Sequence, residues 1–223
     1  METKILLGGG GSAEDERPVF ELLASWVGTS GSVLYLPIAL CESGRVYEGC
    51  LEWLASALNP LGVRQIEMWT NLVDHSPVEI GDHTAIFIGG GSTYSLLHQL
   101  RTAGFDAVLR DFVSHGGIIY GGSAGAIVLG HDISTCSHLD ENTVGLTDTS
   151  GLDLLDGESV WCHYQATDDP LIRAYVEHTN SPTIALAETA GIWVRECKEY
   201  TPLGSGDIYR FTINRKHRLS QGC

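Results

Sequence analysis

The segment GGIIYGGSAGAIVLG, residues 116–130, places one hydroxyl between two apolar runs and decides the fold that we predict. The run before the glycine pair predicts a buried strand, and the run after Ser123 predicts a helix. Residues 121–125 match G-x-S-x-G, in which small neighbours permit a sharp turn and the serine hydroxyl projects clear of the sheet. Ser123 is therefore a candidate nucleophile, and the Ala124 N–H is a candidate donor to an oxyanion. A tight turn with a capping serine is the structural alternative.

Apolar runs alternate with amphipathic stretches over the first half of the chain. The predicted strands cover residues 4–9, 32–39, 64–69, 84–90 and 117–122. The predicted helices lie near residues 14–27, 44–58, 93–101 and 104–114. Uninterrupted apolar strands separated by helices are typical of a parallel sheet covered on both faces. We therefore predict an α/β fold with three layers, a doubly wound and mainly parallel sheet with helices on both faces, in one domain over residues 1–223.

The second half of the chain has a different pattern. Residues 131–157 are polar and rich in turn formers, which predicts surface connections that shape a cleft. The remaining predicted elements are a strand at 158–164, a helix at 168–179, a strand at 182–188, and antiparallel strands at a sheet edge, 191–197 and 207–214.

Charge and composition limit the partners that we expect. The chain has 13 basic and 28 acidic residues and a formal net charge of −15, which opposes binding to the phosphate backbone of nucleic acids. It lacks a window of about 18 uncharged apolar residues, so we predict no membrane span, and the apolar run near the N-terminus is too short for a signal peptide. Its six cysteines form no C-x-x-C pair, which favours reduced thiols and a cytoplasmic location over a disulfide framework or a zinc site. We expect neither a metal nor another cofactor.

A second glycine cluster, in IFIGGGSTYSLL, also follows a predicted strand and opens a helix. Parallel strands bring their carboxyl ends to one edge of a sheet, so this cluster is expected near Ser123. Gly90 or Gly91 is the candidate for the second oxyanion donor, and Ser92 and Thr93 either line the pocket or cap the helix.

A third cluster, GGGGSA at residues 8–13, matches the dinucleotide-binding pattern G-x-G-x-x-A. The second predicted strand, however, runs into YLPIAL and lacks the acidic residue that would bind a ribose. We therefore predict a turn near the active-site edge at this position and no nucleotide site.

A serine hydroxyl needs a base that removes its proton, so a histidine must lie within hydrogen-bond reach. Of the nine histidines, His163 lies late in ESVWCHY, a strand that we expect to run beside the strand of Ser123 and to end at the same edge. A core histidine at a strand end is the alternative. The third group is a carboxylate that fixes the imidazole tautomer, for which Glu188 at the end of TIALAE competes with Asp140 in HLDEN. Either acid could instead be a solvated charge.

Several of these motifs occur together, in the same order, in one known family. The motifs are KILLGGGGS, YLPIA, IFIGGGSTYSLL, GGSAGA, the histidine of WCHY, and IALAETAGIWV. In these residues the chain resembles the dipeptidase E (alpha-aspartyl dipeptidase) family of serine peptidases, to which cyanophycinases are related. The resemblance spans most of residues 4–194, and it implies a fold like that of class I glutamine amidotransferases, with serine in place of cysteine.

The resemblance also implies a role for each matching residue. Ser123 would be the nucleophile and His163 the general base, with Glu188 as its acidic partner, or Asp140, which lies near a position also assigned to a charge-relay aspartate. Gly90 or Gly91 would supply the oxyanion donors together with Ala124. The implied substrate is a small peptide, and the implied mechanism requires no metal.

The sequence departs from the family where substrate specificity is decided. The family pattern GGNT is GGST here, at residues 90–93. Arg173 is the only nearby cation that could pair with the carboxylate of a substrate. The alternative for Arg173 is an arginine on a helix surface. Cleavage of dipeptides with an N-terminal aspartate is thus one of several specificities that remain open. The alternatives are a serine hydrolase or amidotransferase-like enzyme with another substrate, or a binding module without activity. A homodimer is plausible for a fold with an exposed sheet edge.

Overall fold

The computed structural model describes residues 4–40, 44–195 and 199–220, which contain eleven strands and six α-helices. The strands are β1 (Lys4–Gly8), β2 (Ser32–Leu36), β3 (Gln65–Met68), β4 (Ala85–Ile88), β5 (Ile118–Gly122), β6 (Ser159–Trp161), β7 (Thr183–Leu186), β8 (Ala190–Arg195), β9 (Glu199–Gly204), β10 (Ile208–Thr212) and β11 (Arg215–Arg218). The α-helices are α1 (Arg17–Val27), α2 (Gly44–Leu58), α3 (Thr93–Thr102), α4 (Phe105–Ser114), α5 (Ala124–Leu129) and α6 (Asp169–Thr179). None of the helices in these ranges is long and apolar enough to cross a membrane.

Seven of the described strands form one sheet in the order β3-β2-β4-β5-β1-β8-β9. The first five strands of the chain pair in parallel, whereas β8 is antiparallel to both β1 and β9. The α/β fold with a mainly parallel sheet is therefore confirmed. The predicted antiparallel strand at 191–197 corresponds to β8, although residues 196 and 197 lie outside the described part of the chain.

A second sheet was not expected from the sequence. It has the order β11-β10-β7-β6, in which β6 is parallel to β7 and β10 is antiparallel to it. The prediction that the strand of ESVWCHY runs beside the strand of Ser123 was wrong, because β6 pairs with β7 from Ser159–Thr183 to Trp161–Ala185. The predicted strand at 207–214 likewise belongs to this smaller sheet, as β10.

Both faces of the large sheet are buried, and alternate residues of each strand point to opposite faces. Leu6, Tyr35 and Phe87 pack with apolar residues of α1 and α2 on one face. Ile5 and Ile86 pack on the other face with residues of α3, α4, α5 and the smaller sheet. This double burial explains why the inner parallel strands are apolar runs, whereas the edge strand β3 alternates exposed and half-buried residues.

The parallel pairing brings three glycine-rich junctions to one edge of the sheet. Gly8 pairs with Gly122 at the ends of β1 and β5, and Ile88 at the end of β4 pairs with Gly121. The turns that follow these strands therefore meet, and one of them carries Ser123.

Candidate active site

Ser123 connects β5 to α5 in a strained conformation, with φ 51° and ψ −115°. Positive φ is costly for a residue with a side chain and persists only where the surroundings enforce it. A Cβ on Gly121 would overlap the Gly125 carbonyl, and one on Gly125 would overlap the Ile88 carbonyl. The glycines on either side of Ser123 thus allow α5 to pack directly against the strand ends, and the serine occupies the corner between them.

The imidazole of His163 lies beside this hydroxyl, with Nε2 2.8 Å from Ser123 Oγ. His163 follows β6 and is tied to the large sheet through the chain after β1, since its N–H donates to the Gly9 carbonyl at 3.0 Å. It also has positive φ, 55°, so both partners of the pair sit in strained backbone. His163 therefore reaches Ser123 from the neighbouring sheet, by a turn after β6, and not from a strand paired with β5.

Glu188 lies on the other side of the ring, with Oε1 2.9 Å from His163 Nδ1. An Nδ1–H that donates to this carboxylate leaves Nε2 free to accept the serine proton, which is the tautomer that a base needs. The Glu188 side chain is 61% exposed, whereas that of His163 is 29% exposed. Because water screens an exposed ion pair, this contact can orient the ring more than it can stabilise a charge on it.

Asp140 is not at this site. Its Oδ2 accepts the Thr93 N–H at 2.7 Å, at the N-terminus of α3, and the hydrogen bonds of the described residues include none between Asp140 and His163. Ser92 caps the same helix by accepting the Ser95 N–H, and Thr93 is buried. The helix-capping alternative thus describes Ser92, and Asp140, which was expected to be either the orienting acid or a solvated charge, instead accepts an N–H at the start of the same helix.

Gly90 is the glycine of the second cluster that faces the serine, since a Cβ on Gly90 would stand 3.2 Å from Ser123 Cβ and 3.6 Å from Oγ. A Cβ on Gly91 would instead overlap the Ala39 carbonyl. Among the described hydrogen bonds, the N–H groups of Gly90, Gly91 and Ala124 have no acceptor. Of the two glycines, Gly90 has the backbone that lies against the serine, so the Gly90 and Ala124 amides are the better candidates to bind an oxyanion.

Sequence reasoning missed the part that the N-terminal glycines play. Gly10, at φ 99°, lies against the reactive pair, because a Cβ there would be 2.7 Å from His163 Nε2 and 3.0 Å from Ser123 Cβ. A Cβ on Gly11 would overlap the Glu188 carbonyl. The run GGGG signalled a turn near this edge, but not that the turn packs against the imidazole.

Sequence reasoning also missed Glu16, a carboxyl that is only 2% exposed. Glu16 Oε1 accepts the Gly10 N–H at 2.8 Å, and the Tyr120 hydroxyl donates to Oε2. Burial raises the pKa of Glu16 from 4.5 to about 7. No local pattern separates Glu16 from its acidic neighbours. The helix was predicted to begin near residue 14, but it begins at Arg17 with a proline in its first turn, so Glu16 immediately precedes it.

A cavity of about 250 Å³ opens at Ser123 and is bordered by Gly10, Gly90 and Glu16. Its walls are the aromatic side chains of Tyr35, Trp53, Phe87 and Tyr120. A larger cavity, of about 870 Å³, lies near residues 77–81 and 107–117, but it contains none of the residues described above. We therefore place the site at the smaller cavity.

Arg173 does not border this cavity. It lies on α6, where its guanidinium is 5.8 Å from the ring centre of Phe211 in the smaller sheet. Among the described residues, no three His, Cys, Asp or Glu side chains come together in a group that could hold a metal ion.

Comparison with known proteins fits this geometry. Residues 5–199 match the sequence profile of Peptidase family S51. The chain belongs to this family. The resemblance to dipeptidase E is thereby confirmed, since proteins named peptidase E are among its relatives.

Individual members of this peptidase family are distant from the chain. An uncharacterised peptidase of Listeria innocua is 29% identical over 104 residues, 45% of this chain and 50% of its own length. Peptidase E of Salmonella typhimurium is 28% identical over 135 residues, 60% of this chain and 55% of its own length. The chain spans about half the length of the curated relatives it matches. The crystal structure of a peptidase from an acI-B1 Actinobacterium has the same fold, with a TM-score of 0.77 at 17% identity over 99% of this chain and 96% of that one.

Proposed function

We propose that this S51 chain is a serine peptidase that hydrolyses small peptides through an acyl-enzyme on Ser123. The observation that carries the proposal is the continuous hydrogen-bonded series from Ser123 Oγ to His163, at 2.8 Å, and from His163 to Glu188, at 2.9 Å. This series stands at a strained turn beside two free amides, which is the arrangement that acyl transfer requires.

In the first half of the reaction, Ser123 Oγ attacks the carbonyl carbon of the scissile bond while His163 Nε2 takes the hydroxyl proton. The oxyanion is stabilised by the N–H groups of Gly90 and Ala124. His163 then gives the proton to the leaving amine as the C–N bond breaks, which leaves an ester on Ser123. Glu188 keeps the imidazole in the productive tautomer throughout.

In the second half, a water molecule attacks the ester and gives its proton to His163 Nε2. The oxyanion forms again at the same two amides, and the serine leaves with the proton that His163 returns. The acid product is released and the free enzyme is restored. Every proton that moves is taken up and returned by His163.

The substrate side chain is the least constrained part of the proposal. The resemblance implies dipeptides with an N-terminal aspartate, a specificity that requires a positive group near the scissile bond. Within the described residues the cavity at Ser123 has no lysine or arginine, and Arg173 lies over Phe211. We therefore propose a small peptide substrate without assigning an aspartyl preference.

The experiment that tests this function compares two serine-to-alanine variants on a mixture of dipeptides. Ser123→Ala should lower the release of free amino acids by about 10⁴-fold or more. Ser114→Ala is the matched control, because Ser114 is an exposed residue at the end of α4 whose hydroxyl bonds the Asp111 carbonyl and the ring of the neighbouring His115, neither of which borders the cavity at Ser123. Full turnover by Ser123→Ala would contradict the proposal. Faster turnover of simple esters or amides than of every dipeptide would favour a hydrolase of another class.

We propose three further properties: a single domain, a cytoplasmic location and a homodimer. The buried core joins both sheets, since Val160 and Ile184 pack in the same cluster as Ile86, and this supports one domain. Cys50, Cys136 and Cys162 are free thiols, which suits the cytoplasm, whereas Cys41, Cys197 and Cys223 lie outside the described residues. A homodimer remains a prediction that sedimentation would test.

A further inference from the structure

The cavity at Ser123 combines two features that the proposed reaction does not use. One is a set of aromatic side chains, and the other is the buried carboxyl of Glu16. The cavity has a volume of about 250 Å³, whereas sites for small molecules typically have about 300–1,000 Å³. It therefore has room for one chemical group of a substrate and not for a whole peptide.

The aromatic walls form one packed set. Phe87 stacks on Tyr120 with ring centres 4.1 Å apart, and Phe87 also meets Tyr35 edge to face at 5.3 Å and Trp53 at 6.2 Å. Three of these rings are buried, and Trp53 is 38% exposed. Aromatic faces attract positively charged groups, and the attraction grows when water is excluded.

Glu16 lies among these rings without a permanent positive partner. The Gly10 N–H and the Tyr120 hydroxyl are neutral donors, and the ion pairs of the described residues include none with Glu16. His163 is the nearby group that can become positive, and it is committed to Ser123 and Glu188. A buried carboxyl in this position is destabilised when it is ionised, unless a cation from outside the protein comes near it.

We infer that the cavity binds a positively charged nitrogen group of the substrate, held between the Glu16 carboxylate and the aromatic walls. The inference rests on the proposed function, because it places the substrate carbonyl at Ser123. The group is either the α-ammonium of the N-terminal residue or the side chain of a lysine or arginine. An aspartate side chain fits the cavity less well, since it would bring a second carboxylate against Glu16 where the described lining has no lysine or arginine.

Three isosteric substrates separate the two sources of charge. Lysyl-alanine and norleucyl-alanine differ mainly by the side-chain ammonium, and norleucyl-alanine and hexanoyl-alanine differ by the α-ammonium. If the side chain enters the cavity, kcat/KM should be about 10-fold or more higher for lysyl-alanine than for norleucyl-alanine. If the α-ammonium enters, the same preference should appear for norleucyl-alanine over hexanoyl-alanine. A wild-type enzyme that discriminates in neither pair would overturn the inference.

The variant Glu16→Gln keeps the shape of the side chain and removes its charge. We expect it to reduce the charge-dependent ratio to within about threefold of unity, while turnover of the uncharged member of that pair falls much less. An unchanged ratio would overturn the inference. An equal loss for all three substrates would also overturn it, because that result would mean that Glu16 only supports the fold.

A second variant covers the case in which Glu16→Gln does not fold, as judged by circular dichroism. Trp53→Leu alters a wall that is partly exposed and leaves Glu16 in place. It should lower the same ratio by about two- to fivefold, the effect of a cation–π contact at a partly exposed site. A ratio unaffected by this change would contradict binding between the carboxylate and the rings.

Labelling of the wild-type protein with a fluorophosphonate distinguishes failure of this inference from failure of the proposed function. A protein that is labelled at Ser123 and cleaves the substrates, but with ratios independent of Glu16, would refute the cation site alone. A protein that neither reacts with the reagent nor cleaves any of the three substrates would refute both.

Discussion

Gly10 lies so close to His163 that a Cβ on Gly10 would stand 2.7 Å from Nε2, the atom that bonds Ser123 Oγ. The turn after β1 thus forms one wall of the reactive pair, and its conformation, with φ 99°, is one that residues with side chains seldom adopt. Glu16 fixes this wall by accepting the Gly10 N–H. The placement of the imidazole therefore depends on a glycine that takes no part in proton transfer.

Gly10→Ala should lower kcat/KM for peptide hydrolysis by about 100-fold or more, because the new methyl group displaces the imidazole from Ser123. Steady-state kinetics on any cleaved dipeptide would measure this loss. The matched control is Gly49→Ala in α2, where an added Cβ meets nothing within 4 Å. Equal activities for the two variants would show that the imidazole is not held by Gly10.

Glu188→Gln should lower kcat by about 10-fold or more, because the amide no longer fixes the tautomer that leaves Nε2 free. Replacement of a buried triad aspartate lowers kcat by about 10⁴-fold. The loss here should be smaller, since the Glu188 side chain is 61% exposed. Single-turnover acylation rates would measure the effect. A variant as fast as the wild type would remove Glu188 from the mechanism.

Asp140→Ala should change stability and leave chemistry almost unaltered. The loss of the bond to the Thr93 N–H should reduce the free energy of unfolding by about 1 kcal/mol, as for other helix caps, while kcat stays within about threefold of the wild-type value. Urea unfolding and kinetics on the same preparation would check both numbers. A loss of kcat as large as that of Glu188→Gln would restore Asp140 as the orienting acid.

Glu16 should make stability depend on pH. Its pKa rises from 4.5 to about 7 on folding, mainly through burial, with the Tyr120 hydroxyl and His163 acting in the opposite direction. Between these values the folded state retains a proton that the unfolded state has lost, so this contribution to stability is full below pH 4.5 and is lost as the pH rises to about 7. The free energy of unfolding of the wild type should fall by about 3 kcal/mol relative to that of Glu16→Gln as the pH rises across this window. The figure follows from about 1.4 kcal/mol for each unit of pKa difference between the folded and unfolded states. Parallel pH profiles of unfolding for the two proteins would show that burial does not raise the pKa of Glu16.

Arg173→Ala should leave kcat/KM within about twofold of the wild-type value for acidic and neutral dipeptides alike. The guanidinium lies over Phe211 in the smaller sheet and does not border the cavity at Ser123, so a substrate carboxylate there has no contact with it. The loss of a partly exposed cation–π contact should cost about 0.5–1 kcal/mol of stability at most. A selective loss of activity on aspartyl dipeptides would instead identify Arg173 as a substrate anchor.

Most of the parallel part of the fold could be predicted from sequence because β2, β4 and β5 are apolar runs and β1 is one after Lys4, whereas the edge strand β3 alternates polar and apolar residues. The strand with which a given strand pairs could not be predicted in the same way, and β6 is the example. Its three buried residues, Ser159–Trp161, would suit either sheet, since side chains alternate in the same way whichever strand they pair with. The second sheet depends on long-range pairing with β7 and β10, which no local pattern specifies.

The same distinction applies to the site. Ser123, His163 and Glu188 each follow a strand. The end of the strand before Ser123 was predicted correctly, whereas the strands predicted at 158–164 and 182–188 end at Trp161 and Leu186. Glu16 could not be identified, because it is the last of three consecutive acidic residues and only the packed structure decides which one is buried. The aromatic walls were equally hidden, since Tyr35, Phe87 and Tyr120 have the pattern of ordinary core residues.

The location of a covalent adduct would identify the nucleophile. The protein would be treated with a fluorophosphonate, digested, and examined by mass spectrometry to identify the modified residue, with His163→Ala treated in parallel. We expect an adduct on Ser123 and a labelling rate that falls by about 100-fold or more in His163→Ala. An adduct on another residue, or an equal rate in the two proteins, would contradict the proposed mechanism.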